Sequence, residues 1–360
     1  MSKLVIIGGA MKNVDEIYRE IVELSGGTGC KIGLIPLAGS RPYEAWSKDE
    51  AKFKQHGAKP ILIDITEKNY RTNAYSKEIV EEIEGLDGIF FMGGAQRRII
   101  KGLIDEEGKE TPALKAIRRI HQEGKLIAGN SAGAAVLSNP MIYGGMDMKV
   151  EVGRGLGFFM NGKAIIDQHF IQRRRMPRLI EALWKTNVNL GIGIDEETAL
   201  IVEGENGGVI GNSSIIILEK TGEKNFKLSY LSRGDKINLK NLTAKICEEK
   251  GEVKAEEENG KHYIIDIASP RGIYTALTKL AETKNAEVEG YIIRIIGEEE
   301  EKRIGYAYKV KLEKTSETKF YQDKGKFKTY QRISALNVEM QVERVGLELK
   351  LTDYKDHPIK

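Results

Sequence analysis

The sequence predicts an α/β protein in which a mostly parallel sheet is flanked by helices, followed by a smaller C-terminal α+β domain. Three observations lead there: five short apolar runs recur through the first half, amphipathic stretches at helical spacing separate them, and the pattern changes past residue 245. Strands alternating with helices favour parallel strands buried on both faces. The boundary is placed at 245/246, giving units 1–245 and 246–360.

Taken in order, residues 4–7, 32–36, 61–65, 88–92 and 126–128 read as buried strands. Val14, Ile17, Ile21 and Leu24 recur at helical spacing over 14–24. Thr111 as N-cap and Pro112 at the first helical position start a helix running to 122. The run 126–128 leads through Gly129-Asn130-Ser131-Ala132-Gly133 into a small-residue helix over 132–137. A second group of elements follows: a strand-like run ending in Asp167-Gln168-His169, an amphipathic helix over 178–184, and an apolar strand from 190 that ends in Asp195-Glu196-Glu197. Past Leu239, the charged stretch 248–261 reads as a boundary or exposed hairpin. Ser269-Pro270 starts a helix with Ile273, Ala276, Leu277 and Leu280 on one face. Residues 291–296, 304–312 and 333–351 read as strands, and the Lys/Glu pattern over 298–303 as a solvated turn.

Ligands of such sheets bind beyond the carboxyl ends of the strands. Gly8-Gly9, Gly93-Gly94-Ala95-Gln96 and Ser131 should therefore converge on one crevice. Gly8-Gly9 lacks both the Gly-x-Gly-x-x-Gly spacing and a following Gly-Lys-Ser/Thr, so these glycines read as serving a tight turn rather than a nucleotide phosphate.

Composition narrows the function classes. With 360 residues, 41% hydrophobic and 30% charged, the chain is globular and long enough for an ample core. Its 56 basic and 53 acidic residues nearly balance at +3, which gives no footprint for nucleic acid but leaves room for local basic patches that receive an acidic substrate. Two cysteines, Cys30 and Cys247, make neither a disulfide framework nor a metal site and read as reduced thiols of a cytoplasmic protein. The apolar run at 4–7 is too short for a signal peptide, and no run is long enough to span a membrane. Neither metal nor cofactor is expected.

A serine hydroxyl becomes a useful nucleophile when a sharp strand-to-helix turn holds it exposed, with glycines two residues either side permitting the turn and close helix packing. Residues 129–133 have that spacing. Such a serine needs a base, and the chain has only His56, His121, His169, His262 and His357. His121 reads as part of a solvated helix face and His56 as a helix-end residue, whereas His169 follows an apolar run at the edge of the expected sheet. Directly after it come Arg173, Arg174, Arg175 and Arg178, suited to planar recognition of carboxylates. The carboxylates after the next strand, at 195–197, can orient an imidazole.

Together Ile6-Ile7-Gly8-Gly9, Phe90-Phe91-Met92-Gly93-Gly94-Ala95-Gln96, Gly129-Asn130-Ser131-Ala132-Gly133-Ala134-Ala135, Asp167-Gln168-His169-Phe170 and Gly193-Ile194-Asp195-Glu196 resemble cyanophycinase. That serine peptidase family also includes aspartyl dipeptidases and has a class I glutamine amidotransferase-like fold. The resemblance covers residues 3–240 in matching order. It implies Ser131 as nucleophile, His169 as general base and Glu196 as orienting acid, with Gln96, Asp167, Gln168, Arg173, Arg175 and Arg178 lining the substrate groove. The amide of Ala132 and one from Gly93 or Gly94 are expected to bind the oxyanion.

The implied activity is that of a cyanophycinase-like exopeptidase. It cleaves cyanophycin (multi-L-arginyl-poly-L-aspartate) to β-Asp-Arg dipeptides through an acyl-enzyme, and a homodimer is expected. The order Ser, His, Glu differs from the Ser, Asp, His order of α/β-hydrolases. The chain departs from the family pattern at Asn130, where Thr is usual, at Ala95, where an acid is usual, and at Met11-Lys12-Asn13; the segment 141–157 is short. Loss of those acids shifts substrate choice, so an aspartyl or isoaspartyl dipeptidase acting on short peptides stays open, as does a silent peptide-binding relative. An amidotransferase requires cysteine at position 131.

Overall fold

The computed structural model describes residues 2–255, 260–284, 287–299, 302–325 and 332–350. The five early apolar runs form β1 (Lys3–Ile7), β2 (Lys31–Ile35), β3 (Lys59–Leu62), β4 (Gly88–Phe91) and β5 (Leu126–Asn130). They lie parallel in the order β1-β5-β4-β2-β3. Alternation along each strand assigns its two faces. Val5, Ile7, Ile32, Leu34 and Phe90 pack against α1 (Asp15–Leu24) and α2 (Pro42–Gln55) through Ile17, Ile21 and Phe53. On the other face Leu4, Ile6, Ile35, Phe91 and Ile127 share a core with α4 (Lys77–Glu84), α5 (Gln96–Leu103) and α6 (Pro112–Gln122), the short α3 (Tyr70–Asn73) preceding them. Each fully buried Leu or Ile contributes about 1.5–3 kcal/mol. The α6 start is as expected, with the Thr111 side chain accepting from the Leu114 amide.

Beyond the Ser131 turn come α7 (Ala132–Ala135), a two-stranded ribbon of β6 (Met141–Gly144) and β7 (Glu151–Gly153), then β8 (Ala164–Gln168), α8 (Met176–Lys185) and β9 (Leu190–Ile194). The chain continues through β10 (Thr198–Glu203), β11 (Asn206–Gly211), β12 (Ser214–Lys220), β13 (Asn225–Ser232), β14 (Lys236–Asn238) and β15 (Ala244–Lys245). Here the expectation of a mostly parallel sheet needs correction. Strand β10 pairs antiparallel with β1, and β11, β14 and β15 extend that antiparallel half, so the first sheet is mixed. The reason is connection length: the two-residue link between β10 and β11 can close only a hairpin.

A second, mixed sheet has the order β17-β18-β19-β21-β13-β12-β9-β8, using β17 (Lys261–Ile265), β18 (Glu287–Glu299), β19 (Lys302–Glu313) and β21 (Ile333–Lys350). Strands from both sides of residue 245 thus hydrogen-bond in one sheet, β13 pairing with β21. Helix α9 (Pro270–Glu282), capped by Ser269 as expected, buries Ile273, Ala276, Leu277 and Leu280 with Phe226, Val288 and Val338 in one core. Within the stretch expected as a hairpin, β16 (Lys250–Glu252) pairs instead with β20 (Lys319–Asp323). Residues 256–259 of that stretch, 300–301 of the expected turn and 351 of the last expected strand lie outside the described residues.

The two sheets face each other across shared apolar residues, Leu4, Ile6 and Leu200 from the first with Ile166, Ile192 and Ile217 from the second. This packing brings the carboxyl ends of β1 and β5 beside those of β8 and β9.

Candidate active site

Ser131 sits between β5 and α7 at φ 54° and ψ −109°, a left-handed conformation that a β-carbon resists. Its flanking glycines are sterically required: a Cβ on Gly129 would overlap the Gly133 carbonyl, and one on Gly133 would overlap the Phe91 carbonyl. The turn is anchored by the Ser131 amide donating to the Ile7 carbonyl at 2.9 Å. The next two carbonyls of the same exit hold the other sides of the site, Gly8 accepting from the His169 amide at 2.7 Å and Gly9 from the Glu197 amide at 2.8 Å. Gly9, at φ 117°, lies so close to the His169 imidazole that a Cβ there would overlap the ring. Gly8-Gly9 was expected to serve a turn; close approach to the histidine is its further role, and a lone Gly-Gly gives no local signal of that.

The side chains form a continuous chain. Ser131 Oγ is 2.7 Å from His169 Nε2, and His169 Nδ1 is 2.6 Å from Glu196 Oε1. Gln168 Oε1 lies 3.4 Å from the same hydroxyl. Gln172 braces the acid, its Oε1 accepting from the Glu196 amide at 3.0 Å. Of the three carboxylates at 195–197, Asp195 is wholly buried and faces away. It accepts from the Ile171 amide and the Ser213 and Ser214 hydroxyls, and burial pushes its carboxyl up to about 6.

His169 is 7% exposed, and burial draws its imidazole below the usual histidine range. The Glu196 hydrogen bond opposes that shift, while the charges of Arg173 and Arg175 add to it. The net effect favours a neutral ring able to accept a proton. Ser131 Oγ is placed to give one up.

Gly93 follows β4, and a Cβ built on it would stand 3.5 Å from Ser131 Cβ. Gly94, at φ 145°, is pressed against the Ala38 carbonyl. Among the described residues, no protein acceptor takes the amide hydrogens of Gly93, Gly94 or Ala132.

The residues expected to line a groove separate into two groups. Gln168 faces the serine, and Arg173 is exposed beside it, its amide donating to the His169 carbonyl at 3.1 Å. The others point inward. Asp167, 1% exposed, is held by Arg178 Nε at 2.8 Å and by Arg178 Nη2, with Arg175 Nη1 at 3.5 Å. Arg175 Nη1 also donates to the Gln168 carbonyl at 2.6 Å, and burial lowers its guanidinium to about 10. Gln96 is buried and donates to the Ile142 carbonyl at 3.0 Å. Asp167 and Arg178 therefore have their charges engaged within the protein, because a buried charge must be paired where it lies, and the Gln96 amide is likewise turned to the backbone. No cluster of three or more His, Cys, Asp or Glu side chains suited to a metal occurs among the described residues. No helix there is long and apolar enough to cross a membrane.

A strained serine on a strand-to-helix turn, hydrogen-bonded to a buried histidine, is peptidase geometry, and the model of peptidase family S51 matches residues 4–210. The chain belongs to peptidase family S51. It is a serine-type peptidase, and its relatives agree. A cyanophycinase of Geminocystis herdmanii is 33% identical over 266 residues, covering 66% of this chain and 94% of the relative. A cyanophycinase of Nostoc sp. is 32% identical over 250 residues, covering 66% of this chain and 80% of the relative. Among solved structures, a peptidase from an acI-B1 actinobacterium superposes with a TM-score of 0.54 at 23% identity, covering 66% of this chain and 97% of the other. That likeness is one of fold, an α/β arrangement of sheets flanked by helices. The S51 match ends at the last residue but one of β11, so β12 to β21 and α9 lie outside it.

Proposed function

We propose that this S51 peptidase hydrolyses cyanophycin to β-Asp-Arg dipeptides, with Ser131 as nucleophile, His169 as general base and Glu196 as the acid that orients it. The observation that carries the mechanism is the unbroken chain from Ser131 Oγ through His169 to Glu196, with links of 2.7 and 2.6 Å. The substrate rests on the cyanophycinase relatives. The chain's class I glutamine amidotransferase-like topology belongs to the same reading.

In this mechanism Ser131 Oγ attacks the scissile carbonyl carbon as its proton passes to His169 Nε2. The resulting oxyanion takes hydrogen bonds from the Ala132 amide and from Gly93 or Gly94, and loss of one such donor typically costs about 3 kcal/mol of barrier. Collapse expels the amine, which takes the proton from His169 and leaves an ester on Ser131. Water then attacks the ester, giving its proton to the same nitrogen, and the serine is regenerated. The Glu196 carboxylate stabilises the imidazolium formed in each half. Arg173, the exposed guanidinium beside the site, is suited to an arginyl α-carboxylate of the polymer.

A second reading, action on short β-aspartyl peptides, is favoured by the internal pairing of Asp167 with Arg178, which leaves neither free for a polymer side chain. Mass spectrometry of products from cyanophycin and from a panel of β-aspartyl dipeptides separates the two. The wild type should release β-Asp-Arg from the polymer and Ser131→Ala should release none. An intact polymer with cleaved dipeptides transfers the assignment to the second reading, and undiminished hydrolysis by S131A overturns the mechanism.

A further inference from the structure

A cavity of about 750 Å³ opens beside Gln172, next to the backbone that carries Glu196. One wall is the turn after β8, with Ile171 and Gln172, the latter being the brace that accepts from the Glu196 amide. The floor is Ser213 and Ser214, whose hydroxyls donate down to buried Asp195. The opposite wall comes from beyond the S51 match: Arg271 and Tyr274 in the first turns of α9, and Arg332 before β21.

The charges of this cavity are one-sided. Among the described residues no Asp or Glu lines it, and two arginines do. Arg332 is neutralised by Asp323, at 3.0 and 3.2 Å, and by Glu249 at 2.5 Å. Arg271 is exposed and has no ionic partner among the described residues. Thr275 lies one helical turn further along α9 and lines the same space. Open volume, one unpaired guanidinium and adjoining hydroxyls suit a carboxylate carried on a body the size of a dipeptide.

We propose that this cavity is an accessory subsite, contributed by the C-terminal segment, in which Arg271 binds a free carboxylate of the substrate away from the scissile bond. Its identity as an arginyl α-carboxylate of the polymer rests on the function proposed above. Bordered by Gln172 on the S51 side and by α9 on the other, the subsite would let a long substrate engage both. Arg271 is therefore a specificity residue for substrate length.

The test uses full-length Ser131→Ala protein, with and without Arg271→Ala, and a synthetic segment of three Asp-Arg repeats prepared with free or amidated arginyl carboxylates. Calorimetric titration should show the free segment binding S131A at least about fivefold more tightly than the double variant, as expected for loss of a charge-assisted contact at an open site. The amidated segment should bind both alike. Arg271→Lys should retain part of the affinity, and matching thermal unfolding of the variants establishes that the fold is intact. Equal binding of the free segment to S131A and S131A/R271A, or no binding to either, overturns the subsite. Arg271-dependent binding together with a wild type that leaves cyanophycin uncut keeps the subsite and removes the reaction.

Discussion

Burial, Arg173 and Arg175 all pull the His169 imidazole toward its neutral form, and Glu196 pulls the other way. In the proposed mechanism the base acts when neutral, so kcat/KM should rise with pH through the His169 pKa, with its acid limb below the ordinary histidine value. Signs for two variants follow directly. Arg173→Ala removes a charge that lowers the pKa and moves the limb to higher pH. Glu196→Gln removes an interaction that raises it and moves the limb lower, while kcat falls on the order of 10³-fold or more because the ring loses its orienting anion. A pH profile of kcat/KM for the three proteins checks both directions, and shifts of the same sign would contradict the assignment. The elbow serine and His169 were legible from residue type and strand context, and Glu196 from motif resemblance. Inward pairing of Asp167 with Arg178 was not legible, because an arginine run shows charge but not which side chains fall on the buried side of the turn.

At the scale of elements, the exit of β1 organises the site, since Ile7, Gly8 and Gly9 carbonyls anchor the backbones of Ser131, His169 and Glu197. Gly9→Ala should therefore displace the imidazole and lower hydrolysis by on the order of 100-fold with the fold retained, the cost of a misplacement of about 1 Å. Gly26 supplies the control: its φ of 110° resembles the 117° of Gly9, but a Cβ there meets nothing within 4 Å. Gly26→Ala should cost stability through backbone strain alone and leave kcat unchanged; thermal unfolding with steady-state rates distinguishes the two, and equal activity in both variants would remove the steric role of Gly9. Helices with local signals, such as Thr111-Pro112 and Ser269-Pro270, start where the sequence places them. The antiparallel docking of β10 on β1 does not announce itself, because those two strands lie far apart in the chain and leave no periodic mark.

For the molecule as a whole, the second sheet links the C-terminal strands to β8 and β9, which carry Gln168 and lead into His169 and Glu196. Lys250 fastens this junction. Its fully buried Nζ donates to Asp235 Oδ1 at 2.8 Å, Ser232 Oγ at 2.8 Å and Ser334 Oγ at 2.9 Å, joining residues on both sides of 245. Lys250→Ala leaves the Asp235 carboxylate buried without its cation and should cost about 3–5 kcal/mol in urea unfolding. A chain ending at 245 bares the β13 edge and Phe226, and it should be insoluble or unfolded. A soluble, fully active 1–245 fragment would instead support two separate domains.

Local spacing, by itself, determined the early β/α alternation, the capped helices and the serine turn, because each of these depends on residues within about one helical turn or one strand. Tertiary structure alone decided that the histidine and acid strands belong to a different sheet from the serine strand, that the exit of β1 anchors Ser131, His169 and Glu197, and that α9 walls a cavity beside Gln172. Those outcomes follow from packing two apolar sheet faces against each other. Burial of one side of the turn after β8, rather than any charge pattern, set which side chains pair inward, as Asp167 and Arg178 do, and which stay exposed, as Arg173 does.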